Sequence, residues 1–454
     1  MGDDGSDAPK RLGQWAHTFL ILGMMLGGGT FGIVRELSRL VGPHLWLPFA
    51  LAGSVVTLTS ESMAYLISEH PGAGSHTRFV LASTGSQRLA LIVGCLPLID
   101  AISAFAVCAL LCGNYLVEIV GIEQGSGATA MALPPNTLCA VGLVALMYAV
   151  QAVGVREAAF FCNLGTVIEI ITLLAVVSLG AVVHLNGSSA HASDAFAQQL
   201  PPLVDTTTAT VLCVFAYGGL PQGLDFASEM EDPRRSVARS VRKTTLAVSV
   251  IYVLFGLAAA TLVPASTLAE SAVPLIDMFS LHFDDSAALR QFWAVLGVVS
   301  IGNTSFGAFM AASRILWGMS DQGMFPDAFK SLQLSATVVA LIGVGLVAMP
   351  DAVFILATCG STFLLIAFGA CNYSAFVLQR RSGASATRLL MPAVALLCTT
   401  SVLVCAFVQD TDVRKASTTS CVVLVVLVCC SFRISDQKKK LQQPMTTDKP
   451  KKLE

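Results

Sequence analysis

The sequence predicts an all-α integral membrane protein with about twelve transmembrane helices, and three observations predict it. Only 12% of the 454 residues are charged and 54% are hydrophobic, whereas a soluble domain carries about a quarter charged residues. Mean hydropathy is +0.72, and apolar windows of about 20 residues, long enough to cross a bilayer, recur down the chain. Two of these windows are broken by glycine, at "MMLGGGTFGIV" and "FAYGGLPQGLDF".

Taken in order, residues 1–14 form an acidic, polar tail, unlike the basic start of a signal peptide, so no cleavable leader is expected. Spans follow at 15–39, 44–68, 89–119, 133–153 and 158–183. A polar loop, 185–205, carries Asn186 in an N-x-Ser sequon. Further spans are expected at 206–230, 243–264, 289–318, 333–349, 353–377, 387–408 and 416–432, and the lysine-rich segment 433–454 closes the chain. With both termini inside, all of the 27 Lys and Arg except Arg35, Arg39, Arg290, Arg414 and Lys415 fall on the cytoplasmic side. That asymmetry follows the positive-inside rule. The plasma membrane is the expected residence.

The 13 cysteines are scattered, with no CxxC spacing. They read as small packing residues, not as a disulfide frame or metal site. Cys429 and Cys430, at the inner end of the last span, are also placed for acylation. No metal and no cofactor are expected. The basic tail has no stacking aromatics, which argues against nucleic acid and for attraction to anionic lipid.

The glycine clusters are the informative feature. Gly27, Gly28, Gly29 and Thr30 fall within the first span, and Gly218, Gly219, Pro221 and Gly223 fall within the sixth. Such residues break helices, and unpaired backbone is tolerated at membrane depth only beside protein or a water-filled cavity. Interrupted spans at corresponding places in two halves point to an inverted-repeat transporter whose half-helix ends face the substrate. The bland alternative is that the glycines serve only close helix packing.

Four segments resemble the amino acid/polyamine/organocation (APC) transporter superfamily. "GGGTFG" is similar to its first-span glycine signature, and "AYLISEHPGAGSHTRFV", 64–80, to the end of its second span. "FAYGGLPQGLDFASEMEDPRRSV" resembles its sixth-span motif, keeping Gly219, Glu229, Pro233 and Arg235 in register. "AASRILWGMSDQGMFPDAF", 311–329, matches through Ser313, Arg314, Met319, Gly323 and Pro326. "GGGTFGI" and "LID" (98–100) faintly resemble its eukaryotic polyamine-uptake branch. The resemblance covers about residues 15–380. It implies a five-plus-five inverted repeat of the LeuT type, 15–184 and 206–377, with 386–432 accessory. It also implies alternating access around a site between the first, third, sixth, eighth and tenth spans. Family members that carry cations often place an acid just after the sixth-span glycine, and here that position is Pro221.

Ionisable groups within spans are functional candidates, because a charge at the bilayer centre costs about 2.5–3.5 kcal/mol on insertion scales. Asp100 and Asp225 are candidates to hold a substrate ammonium, beside Gly27 to Thr30, Tyr217, Gly218 and Gly219. Against this, Asp100 would serve a structural hydrogen bond, and Asp225 would cap the second half of the sixth span. By the resemblance, Glu169 stands where some relatives place a lysine in lieu of a coupling sodium. It would carry a proton, or ligate sodium with Thr304 and Ser305. Glu61 reads as structural. Glu229, Asp232, Arg234 and Arg235 are expected at the inner mouth, paired with Arg78 or Arg314 as a gate.

The reading is therefore a secondary transporter of amino acids or polyamines, leaning to cationic ones, coupled to a proton. A neutral amino acid carrier, with sodium as coupling ion, and a non-transporting nutrient sensor are the alternatives. Whether an accessory subunit takes part is left open. A membrane enzyme is disfavoured because the seven histidines are dispersed, without HxxxH spacing. A channel lacks a filter sequence.

Overall fold

The computed structural model describes residues 13–121, 133–153, 155–187, 199–230, 232–283, 286–349 and 352–409. The expected twelfth span, the terminal tails, Cys429 and Cys430 lie outside them. The first span is split into α1 (Gln14–Phe31) and α2 (Val34–Val41). Then come α3 (Trp46–Glu69), the short α4 (Ser75–Thr84), α5 (Gln87–Val120), α6 (Pro135–Val153) and α7 (Val155–Leu185). The sixth span is split into α8 (Leu203–Phe215) and α9 (Gly219–Leu224). It is followed by α10 (Ala238–Leu262), two short helices α11 (Ala265–Glu270) and α12 (Pro274–Ser280), and α13 (Ala287–Asp321). The described chain ends with α14 (Leu332–Val347), α15 (Ala352–Arg381) and α16 (Ala386–Gln409).

Local chemistry sets several boundaries. Ser86, Ser286 and Ser331 each accept the N–H of the residue three on, at 3.3, 3.4 and 3.3 Å, capping α5, α13 and α14. Gly121, at φ +70°, ends α5 in the left-handed region that glycine enters without strain. Among the described residues, nine helices are long and apolar enough to cross a membrane, and Leu332–Val347 is a shorter apolar helix. Exposed apolar side chains such as Leu146, Phe160, Ile171, Leu341 and Leu397 line the outside of α6, α7, α14 and α16. This is a multi-pass membrane protein.

Packing follows a twofold pattern. The most extensive contacts join α5 to α13 and α3 to α10. The contact of α5 with α6 is repeated by α13 with α14, and that of α5 with α15 by α13 with α7. Likewise α1 on α7 is matched by α8 on α15, and α10 on α7 by α3 on α15. Each span of the first half thus has a counterpart in the second, the pairing that a five-plus-five repeat would give. The last described helix, α16, lies outside this set, against α15, α3 and α8. The two broken spans meet at the centre, where α9 packs on α1 and α13.

Candidate functional site

The first break is not where the glycine cluster predicts it. Gly27 to Thr30 lie inside α1, and the helix is interrupted only at Gly32 and Ile33. The reason is packing. A Cβ on Gly27 would lie 2.1 Å from both Ser300 O and Glu169 Oε1, so glycine lets α1 press against α13 and α7. Gly28 N–H donates to Thr304 Oγ1 (3.1 Å), and Thr30 Oγ1 donates to Leu26 O (2.5 Å). The Gly28 amide is therefore engaged within the protein and not free for a substrate carboxylate.

The second break falls within its glycine cluster. After Phe215 the N–H groups of Ala216, Tyr217 and Gly218 each bond three residues back, at 3.0, 2.9 and 3.1 Å, before α9 starts at Gly219. Gly219 allows close approach to α1, since a Cβ there would lie 2.5 Å from Met24 C. Tyr252 of α10, which sequence reasoning missed, places its hydroxyl 2.5 Å from Met25 O and 2.8 Å from Ala216 O. It ties α1 to the break. Tyr217 packs edge-on against Tyr252, ring centroids 5.0 Å apart, with its hydroxyl toward Gly53 of α3.

Asp100, on α5, is fully buried opposite the break. Gln222 Nε2 of α9 donates to its Oδ2 at 3.4 Å, and Oδ1 has no hydrogen-bond partner among the described residues. Two glycines flank the carboxyl group. A Cβ on Gly218 would lie 3.1 Å from Oδ2, and one on Gly360 of α15 would lie 3.1 Å from Oδ1. Gln222 is the polar residue in the apolar "GLPQGL" between the turns, a signal present in the sequence and passed over.

Asp225 is buried too, but in a different role. Its Oδ1 accepts the Ser75 N–H at 2.9 Å, at the start of α4. It caps α4 rather than its own half-helix, and it does not join Asp100. The missing signal is tertiary, because α4 lies 150 residues upstream.

Glu169, Thr304 and Gly27 do come together. Glu169 Oε1 lies against Gly27, where a Cβ would come within 2.1 Å of it, and has no hydrogen-bond partner among the described residues. Thr304 Oγ1 accepts the adjacent Gly28 N–H. Thr304 Oγ1 in turn donates to Gly23 O at 2.9 Å. Ser305 does not join them. One residue further round α13, it donates to Phe105 O at 2.9 Å. Asn303, on the other side of Thr304, takes the place, with its amide 3.3 Å from Glu169 Oε2. The 100° step between successive helix residues explains the exchange.

At one end of the molecule Arg314, only 2% exposed, donates to Glu229 Oε1 (2.6 Å) and Met310 O (3.1 Å). Its guanidinium lies 4.3 Å from the centroid of the Phe226 ring. Arg78 is not in this pair. It donates to Ala73 O (3.0 Å) and faces Asp321 at 3.9 Å. Arg235 is exposed, its backbone N–H directed to Asp232. At the opposite end Arg290 pairs with Glu118 at 2.6 Å, a contact the sequence reading did not foresee. Glu61 pairs with Arg242 at 2.8 Å. Among the described residues no three His, Cys, Asp or Glu side chains gather as a metal site.

Comparison with known proteins gives the same outline. The chain is 26% identical over 342 residues to cationic amino acid transporter 9, chloroplastic, of Arabidopsis thaliana, covering 72% of this chain and 58% of that protein. It is 25% identical over 338 residues to a methylthioribose transporter of Bacillus subtilis, covering 72% and 70%. It is 23% identical over 326 residues to the inner membrane transport protein YbaT of Escherichia coli, covering 70% and 68%. A family model described as amino acid permease matches residues 12–429. With broken first and sixth spans meeting over a buried carboxyl group, and that match across nearly the whole chain, the protein belongs to the amino acid permease family of membrane transporters.

Proposed function

We propose that this protein is a secondary active carrier for cationic amino acids or polyamines, working by alternating access and coupled to protons. One observation carries the substrate class. Asp100 is a fully buried acid facing the sixth-span break, and its Oδ1 has no partner among the described residues. A buried carboxylate without a partner costs several kcal/mol, and a substrate ammonium offsets that cost. The carboxylate-first reading, a neutral amino acid held on the first-span glycines, loses support because the Gly28 amide is bonded to Thr304.

Proton coupling rests on Glu169 and its neighbour. The Asn303 amide satisfies its surroundings when Nδ2 donates to Cys162 O (3.0 Å) and Oδ1 accepts the Thr166 N–H (3.2 Å). That orientation turns Oδ1 toward Glu169 Oε2, 3.3 Å away. Two acceptors at that distance repel unless the acid holds a proton to donate. Sodium is less well served, since Thr304 is already bonded on both sides and Ser305 faces away.

The same reading places the termini and the Arg314–Glu229 pair on the cytoplasmic side, with that pair as the inner gate, and the Arg290–Glu118 pair outside. It takes the repeats as 15–184 and 206–377, and the plasma membrane as residence. The test is counterflow in liposomes, with labelled lysine and a labelled diamine against labelled leucine. Exchange of the cations supports the proposal. Exchange of leucine alone overturns the substrate class, and no exchange of any of them points to a sensor.

A further inference from the structure

The carboxylate that would hold the substrate already has a donor supplied by the protein. Gln222 Nε2 reaches Asp100 Oδ2 from α9, the six-residue segment after the sixth-span break. Two acceptors stay open beside it, Asp100 Oδ1 and Gln222 Oε1, and both are buried. No ion pair forms at Asp100 among the described residues.

We propose that Gln222 is an internal substitute for the substrate's ammonium, and that it lets the unloaded carrier return across the membrane. This rests on the assignment of Asp100 as the ammonium site. A net uptake cycle has two crossings, one loaded and one not, and each passes through a closed conformation. In the loaded crossing the cargo neutralises Asp100. In the unloaded crossing a bare carboxylate would be buried, which is strongly unfavourable. The Gln222 amide supplies a hydrogen bond to Oδ2 at that moment, and hydrogen bonds to charged groups are the stronger kind. When cargo arrives, its ammonium has several donors. It takes the open Asp100 Oδ1, and the Gln222 amide is then dispensable. The location suits the task, because α9 belongs to a broken span and Asp100 to a continuous 34-residue helix.

The prediction separates exchange from net transport. Exchange needs only loaded crossings, whereas net uptake needs both. In liposomes with labelled lysine, Gln222→Met keeps the side-chain length and removes the amide. Net uptake into vesicles lacking internal lysine is expected to fall about tenfold or more, the loss of one charge-assisted hydrogen bond. Counterflow against internal lysine is expected to stay within about threefold of wild type, less than the loss of one hydrogen bond to a charged group. In the double variant Asp100→Asn with Gln222→Met, assayed at saturating lysine, the ratio of net uptake to counterflow should return toward that of wild type. No buried charge is then left to neutralise. An equal fall of both activities in Gln222→Met would mean that the side chain is needed in the loaded crossing as well, and would overturn the proposal. So would an unchanged ratio. If wild type itself shows no lysine or diamine counterflow, the substrate assignment fails first, and this inference falls with it.

Discussion

At the scale of single residues, the two buried acids Asp100 and Asp225 each have one bonded oxygen and one without a partner among the described residues. They differ in what the bonded oxygen meets, the Gln222 amide for Asp100 and the Ser75 N–H for Asp225. Asp100→Asn removes the charge opposite the break, and uptake of a cationic substrate should fall about tenfold or more, equivalent to roughly 1.5–3 kcal/mol. Asp225→Asn keeps an oxygen that can accept the Ser75 N–H, so α4 stays capped and uptake should change far less. Parallel kinetics on the two variants check this, and equal losses would return Asp225 to the binding site. Glu169→Gln holds the amide pairing with Asn303 but carries no proton. Accumulation against a gradient should be lost while exchange continues, and wild-type uptake should decline as external pH rises and the inward proton gradient shrinks. Uptake indifferent to pH but dependent on sodium would reverse that assignment. These acids were legible in the sequence because charge is rare in spans. Their partners were not. Asn303 and Ser305 are two positions apart in "GNTSF", and only the helix rotation decides which one meets Glu169.

At the scale of elements, glycine in a span proved ambiguous in a physically instructive way. The sixth-span cluster marks a real interruption, but the first-span cluster marks a helix crossing, with the interruption five residues beyond Gly27. Both clusters serve close packing, Gly27 against Ser300 O and Gly219 against Met24, but only at 216–218 do the backbone N–H groups tighten to bonds three residues back. Gly27→Ala should therefore act on assembly more than on binding. The new methyl meets a backbone carbonyl at 2.1 Å, and overpacking of this sort costs about 1–3 kcal/mol or more. A lower melting temperature in detergent is expected, whereas Gly13→Ala, with nothing within 4 Å, should leave it unchanged. Equal melting of both variants would argue against the crossing. The Arg314–Glu229 pair is a comparable element-level device. Glu229→Gln leaves a buried guanidinium short of its counter-charge, and transport should drop while the exposed Arg78–Asp321 pair tolerates Asp321→Asn.

At the scale of the whole molecule, hydropathy revealed the order of the spans that fall among the described residues, and lysine and arginine placement gave an orientation that is directly testable. A tag inserted near Ser193, outside the described residues, should be reached by antibody on intact cells. Labelling that appears only after permeabilisation, with the protein at the surface, would invert the topology. What hydropathy could not supply is which spans touch, because apolar faces look alike from sequence. The contacts turn out to run mostly between the halves, α5 with α13 and α3 with α10. This has a bearing on biosynthesis. While the ribosome is still making the second half, the first has no complementary surface to close upon, so its polar groups Asp100 and Glu169 sit among lipid or borrowed partners. The nascent half is then a substrate for quality control rather than a stable intermediate. Residues 1–198 produced alone should be degraded quickly, and co-production of 199–454 should extend their lifetime.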